Sequence, residues 1–406
     1  MAFDSGSITL KRFFVSGRSP KQVDEALLGQ LAAKAIGADS IQTADHSEIG
    51  WSTGEHILDT EFDFAKNVVA DGLYFALRID TNKPPTELVR SYQKINEQAM
   101  LRATGREFLS KAQRREAREQ ALARLDSEAK SGAFRRMKQI PVFWDLTRNE
   151  LYFGSTGNSA MESLMLLFRE TFDRGIVAAS AGEIAARWAA VNGESRLFED
   201  CRPAHFVTPP EAAGEAPAAH SDEGRTNDFL GTEWLTWLWY ATQVESPNIA
   251  TAKSGAVTVL FEKSVQMLCA FRLTGSMAVN SDSPTRLPET LVALSGGKLP
   301  VRAAMQIEAQ DNAFGFAVRG DAMVFSSVQL PPPEDANTAV AVFGDRIAKL
   351  RDLIDAGDGL YAAFLKRRLS SKWPQTLSAM RAWIASCRHA GSPQDGPTTG
   401  LLEAVS

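Results

Sequence analysis

Two runs of β-favouring residues, 74–79 and 139–146, are separated by a long stretch that is helical in pattern but poor in apolar side chains. This spacing constrains the fold more than any other feature of the chain. The intervening segment opens at Pro84 and Pro85, which suit a first helical turn because the missing N–H has no partner there in any case. Leu88, Tyr92, Ile95 and Ala99 then recur at three- and four-residue spacing, which predicts one apolar stripe with Arg90 and Lys94 on the other side. In the second half the four-spaced row is Ala117, Ala121, Leu125 and Ala129, flanked by Leu122. At about 0.8 kcal/mol per buried CH₂, a row mostly of alanine gains little from burial. The segment therefore reads as a helical arm projecting from a body, with the flanking strands marking where it leaves and returns.

The arm is also where positive charge collects. Fourteen Lys and Arg stand against seven Asp and Glu between Lys83 and Lys138, in a chain of 406 residues with a net charge of −5. Lys111, Arg114, Arg115 and Arg118 crowd one side over two turns. A localised basic element on an acidic protein points to a polyanion, and nucleic acid is the commonest one. The alternative is a solvated helix laced by i,i+4 pairs such as Glu107 with Lys111 and Arg115 with Glu119.

The rest of the chain alternates between strands and helices in an α+β pattern, without the regular succession of a βαβ fold. A strand is expected over 8–15, then a helix starting at Pro20 and stopping at Gly37, a short core-facing piece at Ile49-Gly50-Trp51, and a strand over 74–79 with Arg78 on its polar face. Residues 147–149 form a hairpin turn into 150–153, and Asn158 or Ser159 caps a helix facing the core with Met161, Leu164, Met165 and Phe168. Domain divisions fall at 1–82 (body), 83–138 (arm), 139–206 (return strands and helix), 207–228 (linker), 229–332 (aromatic helix and β region), 333–389 (helical extension) and 390–406 (disordered tail). Trp234, Trp237 and Trp239 read as core more readily than as base-stacking groups. Strands are expected over 257–261, 267–273, 301–308, 314–318 and 323–330, with a turn at Gly320-Asp321. After Pro333, Val342, Ile347, Leu350, Leu353 and Ile354 give a helical core face; Lys366, Arg367, Arg368 and Lys372 form a second basic cluster read as surface.

Little in the sequence indicates catalysis. No P-loop, HExxH or nucleophile-elbow spacing occurs, and three scattered cysteines give neither a disulfide framework nor a zinc site. His46 and His56, near Asp45, Glu48, Glu55 and Asp59, form a conceivable metal site but read more simply as polar loop residues. Glu61, Asp63 and Glu262 are the carboxylates a Mg²⁺-dependent nuclease would draw on. No apolar run reaches the roughly 18 residues of a membrane span, and Asp4, Lys11 and Arg12 interrupt any secretory core, so a reducing cytoplasm is expected.

The order Ile49-Gly50-Trp51, strand 73–79, Lys-Pro-Pro-opened arm, Gly132-Ala133-Phe134-Arg135-Arg136 and Phe143-Trp144-Asp145 resembles the recombination-associated protein RdgC family. The runs Ser295-Gly296-Gly297-Lys298-Leu299-Pro300-Val301 and Glu233 to Trp239 look like later parts of it. Members of that family are homodimers of horseshoe protomers that close around duplex DNA without reading its sequence and restrain RecA-promoted exchange. The resemblance implies a nucleoid-associated, non-enzymatic, cofactor-free protein with the arm at the ring's tip. It implies Phe134 at the tip-to-tip contact, and Arg90, Lys94, Lys111, Arg114, Arg115, Arg118, Arg135, Arg136, Lys138 and Lys298 facing DNA. RecA would be affected indirectly, through shared DNA. Gly132 stands where the family often has Arg, and Asp282 and Ser283 where a Lys-Gln pair is typical. A protein-interaction scaffold gripping an acidic partner is the other reading of the same charges.

Overall fold

The computed structural model describes residues 3–43, 47–211, 227–333 and 337–389. Asp45, His46, His220, most of the expected linker and the expected disordered tail lie outside the described residues. The chain is α+β and forms two compact units, Val15–Val177 and the combination of Met1–Phe14 with Ala178–Ser406. The division therefore falls near residue 177 and not at 206. The reason is long-range pairing: strand Ile8–Val15 runs antiparallel to Val324–Gln329, with Ile8 opposite Val328 and Leu10 opposite Phe325. That partnership commits the first residues to the C-terminal unit.

The unit Val15–Val177 is built on an antiparallel sheet in the order Ile41–Gln42, Ser47–Ser52, Gly72–Thr81, Arg136–Asp145, Glu150–Phe153. Its central pair runs in unbroken register from Gly72 opposite Asp145 to Thr81 opposite Arg136. Helix Asn158–Phe172 packs on it through Trp144, whose ring lies 5.2 Å from both Phe168 and Phe172, and through Trp51, whose indole N–H donates to Thr171 Oγ1 at 2.7 Å. The buried face of this helix is Ala160, Leu164, Leu167, Phe168, Thr171 and Phe172; Met165 is exposed, so the face is turned relative to the sequence expectation. Gly157, with no side chain to offer, stands at its N-cap. Helix Glu25–Ala33 starts after Asp24, whose carboxylate accepts the Leu27 N–H at 2.9 Å; the cap, not Pro20, sets the start. The Ile49-Gly50-Trp51 piece is strand, and its glycine has a steric cause. A Cβ on Gly50 would sit 2.6 Å from the Ile36 backbone, in the segment after the first helix where Ala35 forms a parallel bridge with Trp51.

In the other unit the antiparallel order is Met277–Ser281, Gly255–Cys269, Lys298–Ala309, Asn312–Arg319, Val324–Gln329, Ile8–Val15. The expected strands 257–261 and 267–273 are one strand, Gly255–Cys269. Its register shifts between Phe261 and Val265, with Lys263 at φ 63°. The polar Glu262-Lys263-Ser264 interruption is thus absorbed by a bulge, not a turn. Helix Phe229–Tyr240 is buried on every side, its polar side chains Thr232, Glu233 and Thr236 included. Trp234 meets Tyr361 at 5.6 Å, Trp237 meets Phe364 at 5.8 Å and Trp239 meets Trp383 at 5.9 Å, so the tryptophan cluster is core and offers no stacking surface. Gly231 of this helix lies against the Gly320 turn so closely that a Cβ would fall 2.1 Å from the Gly320 carbonyl oxygen. Helix Ala339–Arg368 continues through Asp358, whose carboxylate takes both Nη atoms of the buried Arg12 at 2.5 and 2.8 Å.

Candidate nucleic-acid interface

The arm consists of two helices, Thr86–Thr104 and Lys111–Lys130, rising from the central strand pair of the unit Val15–Val177. Pro85 precedes the first helix at φ −60°, and Gly105 ends it in the left-handed region with its N–H on the Leu101 carbonyl at 3.0 Å. The second helix begins in a capping box: Ser110 Oγ accepts from the Gln113 N–H, and Gln113 Oε1 accepts from the Ser110 N–H. Ala117, Ala121 and Leu125 are buried, as the four-spaced row predicts, and these small side chains admit the partner helix at close range. No side chain of the first helix is fully buried. Ile95 is 54 % exposed and Ala99 is exposed too, so the expected stripe is displaced. Polar contacts displace it: Asn96 Nδ2 donates to the Ala117 carbonyl at 3.0 Å, and Tyr92 donates its hydroxyl to Glu128 at 3.1 Å beneath the Arg124 guanidinium.

The cations divide into two sets. Arg90 pairs with Glu87 at 2.6 Å, Arg115 with Glu119 at 3.4 Å, Arg124 with Glu128 and Lys130 with Asp126 at 3.1 Å. These are exposed pairs, worth a few tenths of a kcal/mol each. Lys94, Lys111, Arg114, Arg118, Arg136 and Lys138 are exposed, with no ion pair to another described residue. Glu107 precedes the second helix, so its i,i+4 relation to Lys111 does not arise. The position of Lys111, Arg114, Arg115 and Arg118 is informative. They occupy the first two turns of a helix whose first turn holds no acid. That end of a helix carries partial positive charge, so Lys111 and Arg114, in the first turn, each cost roughly 0.3–1 kcal/mol at an exposed site. Folding stability does not account for the cluster.

The arm's root is polar. Arg78, expected on a solvated face, is 5 % exposed; its guanidinium donates to both Asp80 oxygens at 2.8 and 2.7 Å and to the Ile57 carbonyl at 2.9 Å. Arg135 adds a third contact to Asp80 at 2.8 Å, so this residue braces the root as well as presenting charge. Asn82 Nδ2 donates to the Ala129 carbonyl at 2.5 Å. Beside these residues lies a cleft of about 830 Å³, lined by Lys83, Leu122, Asp126 and Lys130 among others. Burial alone would push the Asp80 carboxyl up, but hydrogen bonds from Arg78 and Arg135 outweigh it and hold the group below its ordinary value. A carboxylate depressed on folding contributes stability above the ordinary value of about 3.9, and that contribution is lost as pH falls through the folded value. Asp80→Asn is therefore expected to lower the urea midpoint at about pH 7, and to lose less on going to about pH 3 than the parent does.

Other expected site residues are placed differently. Phe134 is half-buried in the turn between the second arm helix and the strand Arg136–Asp145, at the root and not the tip. The distal loop carries Phe108 instead, 77 % exposed and not singled out by any periodicity. Arg102 and Arg106, also at the distal end, are exposed cations that only the overall charge count had included. Arg136 and Lys138 alternate along the strand and share one exposed face. Lys298 belongs to the other compact unit, where its Nζ donates to the Gly275 carbonyl at 2.8 Å and staples a loop. In the second basic cluster, Lys366 and Lys372 are exposed as expected, whereas Arg367 pairs with Glu245 and Arg368 is buried against Glu233.

The nuclease carboxylates do not converge. Asp63 caps the short helix Phe64–Asn67, and the Lys66 backbone N–H holds it below the usual carboxylate range. Glu262 sits beside Lys263 at 3.4 Å in the other unit, and the His56 ring accepts the Leu58 N–H at 3.3 Å. Among the described residues, no three His, Cys, Asp or Glu side chains are grouped to hold a metal ion. No protein-family model matches this chain, and no curated protein matches it significantly.

Proposed function

We propose that this chain is a non-sequence-specific DNA-binding protein that grips the phosphate backbone with its helical arm. The observation that carries the reading is the Lys111, Arg114, Arg115, Arg118 cluster, which begins in a first helical turn that disfavours cations and, apart from Arg115, forms no ion pair with another described residue. Such a cluster has its use in a polyanion: each phosphate neutralised releases condensed counterions, and the released entropy supplies affinity irrespective of sequence. Lys94 on the first arm helix, and Arg136 and Lys138 at the root, are further exposed cations. No helix among the described residues is long and apolar enough to cross a membrane.

The order of sequence features it shares with the RdgC family extends the proposal. Two horseshoe protomers would close into a ring around duplex DNA, associate with the nucleoid and limit RecA-promoted exchange by occupying the same DNA. A ring retains DNA by topology, so its complexes with linear and covalently closed duplexes respond differently to salt. The test is a gel-shift series against ionic strength with both forms. Steeply salt-dependent binding of linear DNA, with complexes on closed DNA surviving at higher salt, supports both parts. Equal sensitivity of the two forms leaves phosphate binding but removes the ring; no binding to either at low salt removes the proposal. Incubation of labelled duplex with Mg²⁺ separates a nuclease, which shortens the DNA. Competition by excess duplex separates a scaffold, whose acidic protein partner would not be displaced.

A further inference from the structure

We infer that the apex of the arm is a stacking point for unpaired bases, with Phe108 as the group that touches them. The inference rests on the DNA-binding reading above and goes beyond it, since phosphate contacts do not need an aromatic side chain. Phe108 is 77 % exposed in the loop joining the two arm helices. Single exposed apolar side chains are ordinary on a protein surface, but among the described Phe, Tyr and Trp residues Phe108 is the most exposed, with Phe64 next at 47 %.

The ring is presented from a fixed loop. Gly105 ends one helix with its N–H on the Leu101 carbonyl, the Ser110–Gln113 capping box starts the next, and Leu109, the immediate neighbour of Phe108, is 9 % exposed. The loop is thus anchored on both sides of the aromatic. Cations surround it in sequence: Arg102 and Arg106 before it, Lys111, Arg114, Arg115 and Arg118 after it, against Glu107 and Glu116. An exposed ring set among cations matches single-stranded nucleic acid, whose bases offer π-faces between phosphates at close intervals. In an intact duplex those faces are covered by their neighbours, so the ring has nothing to stack on. The substrate class is therefore DNA carrying unpaired bases, such as a gap or a single-stranded end.

The experiment compares three DNAs of equal length: an intact duplex, and two duplexes with the same short single-stranded gap, matched in phosphate number, one with ordinary bases and one with abasic residues opposite the gap. The parent protein is expected to bind the gapped DNA about 5- to 100-fold more tightly than the abasic one, the range that one stacked base supplies. Phe108→Ala is expected to abolish that difference while leaving duplex affinity and its salt slope unaltered; Phe108→Trp should retain it. A parent that binds the two gapped DNAs alike overturns the stacking role while leaving phosphate binding intact. A preference that persists in Phe108→Ala overturns it too, as does a Phe108→Ala protein whose sedimentation shows a dimer falling apart, because the ring then serves a second copy of the chain. Failure to bind the duplex at low salt strikes at the DNA-binding reading itself.

Discussion

Replacing Arg114, Arg115 and Arg118 together by glutamate is expected to weaken duplex binding by at least about 100-fold near physiological salt. The estimate counts three phosphate contacts per protomer, each contributing about 0.9 to the slope of log K against log salt, so the slope itself should flatten by about 2.7. The control lies in the same variant. These residues are exposed, and Arg114 stands in the first turn of its helix, where glutamate is favoured over arginine. The only described ion pair lost is Arg115 with Glu119, an i,i+4 pair worth about 0.3–0.5 kcal/mol. Glutamate at 115 also repels Glu119 by a similar amount, so thermal stability should move by only about 1 kcal/mol while binding collapses. An affinity and slope equal to those of the parent would take this face of the arm out of contact with DNA.

Glu233→Leu is expected to destabilise the protein by about 3–5 kcal/mol, the cost of breaking a buried ion pair from one side. Glu233 is 3 % exposed and Arg368 9 %; Arg368 Nε donates to one carboxylate oxygen at 2.6 Å, and the Ala204 N–H donates to the other at 2.6 Å. Burial pushes the Glu233 carboxyl up while Arg368 pulls it back down. Truncating the acid leaves a guanidinium enclosed between the Arg202 carbonyl and the Trp373 ring with no counter-charge. Changing both partners, Glu233→Leu with Arg368→Met, removes the stranded charge and is expected to recover most of the loss. Urea unfolding of the two single variants and the double variant measures the coupling. A double variant as unstable as the sum of the singles would show that packing, not charge, is at stake.

Much of this architecture was legible before any coordinates. The arm was legible because its four-spaced alanine row and flanking strands are local patterns, and Ala117, Ala121 and Leu125 are indeed the buried face. The tryptophan helix is legible because its three tryptophans and three leucines leave it no solvent-facing side, although the burial of Glu233 within it is not. What escaped was partnership at a distance. Nothing near Ile8–Val15 announces Val324–Gln329, and nothing near Arg12 announces Asp358. Charged residues were read as solvated at Arg78 and Arg368, where the structure encloses each beside an acid; a sequence shows the charge but not the counter-charge that permits burial. Within the arm, Ile95 was assigned to the buried stripe because it is apolar, yet hydrogen bonds from Asn96 and Tyr92 decide which side meets the second helix. At the candidate site, the cationic turns were evident from spacing, whereas Phe108 lies in a loop with no period to reveal it.

The register between Gly72–Thr81 and Arg136–Asp145 has one more implication. Thr81 and Arg136 stand directly opposite each other at its last rung, so the chain departs from the sheet and re-enters it at a single point. Antiparallel neighbours are about 5 Å apart there, a gap that a two-residue turn closes as readily as a long excursion does. How far the cationic limb extends is then independent of whether the sheet beneath it forms. Turns of helix can be inserted or deleted in pairs, and charges exchanged along them, while the ladder stays as it is. Reach is thus a quantity that descent can adjust without risking collapse of the scaffold, as a blade can be lengthened without reshaping its handle.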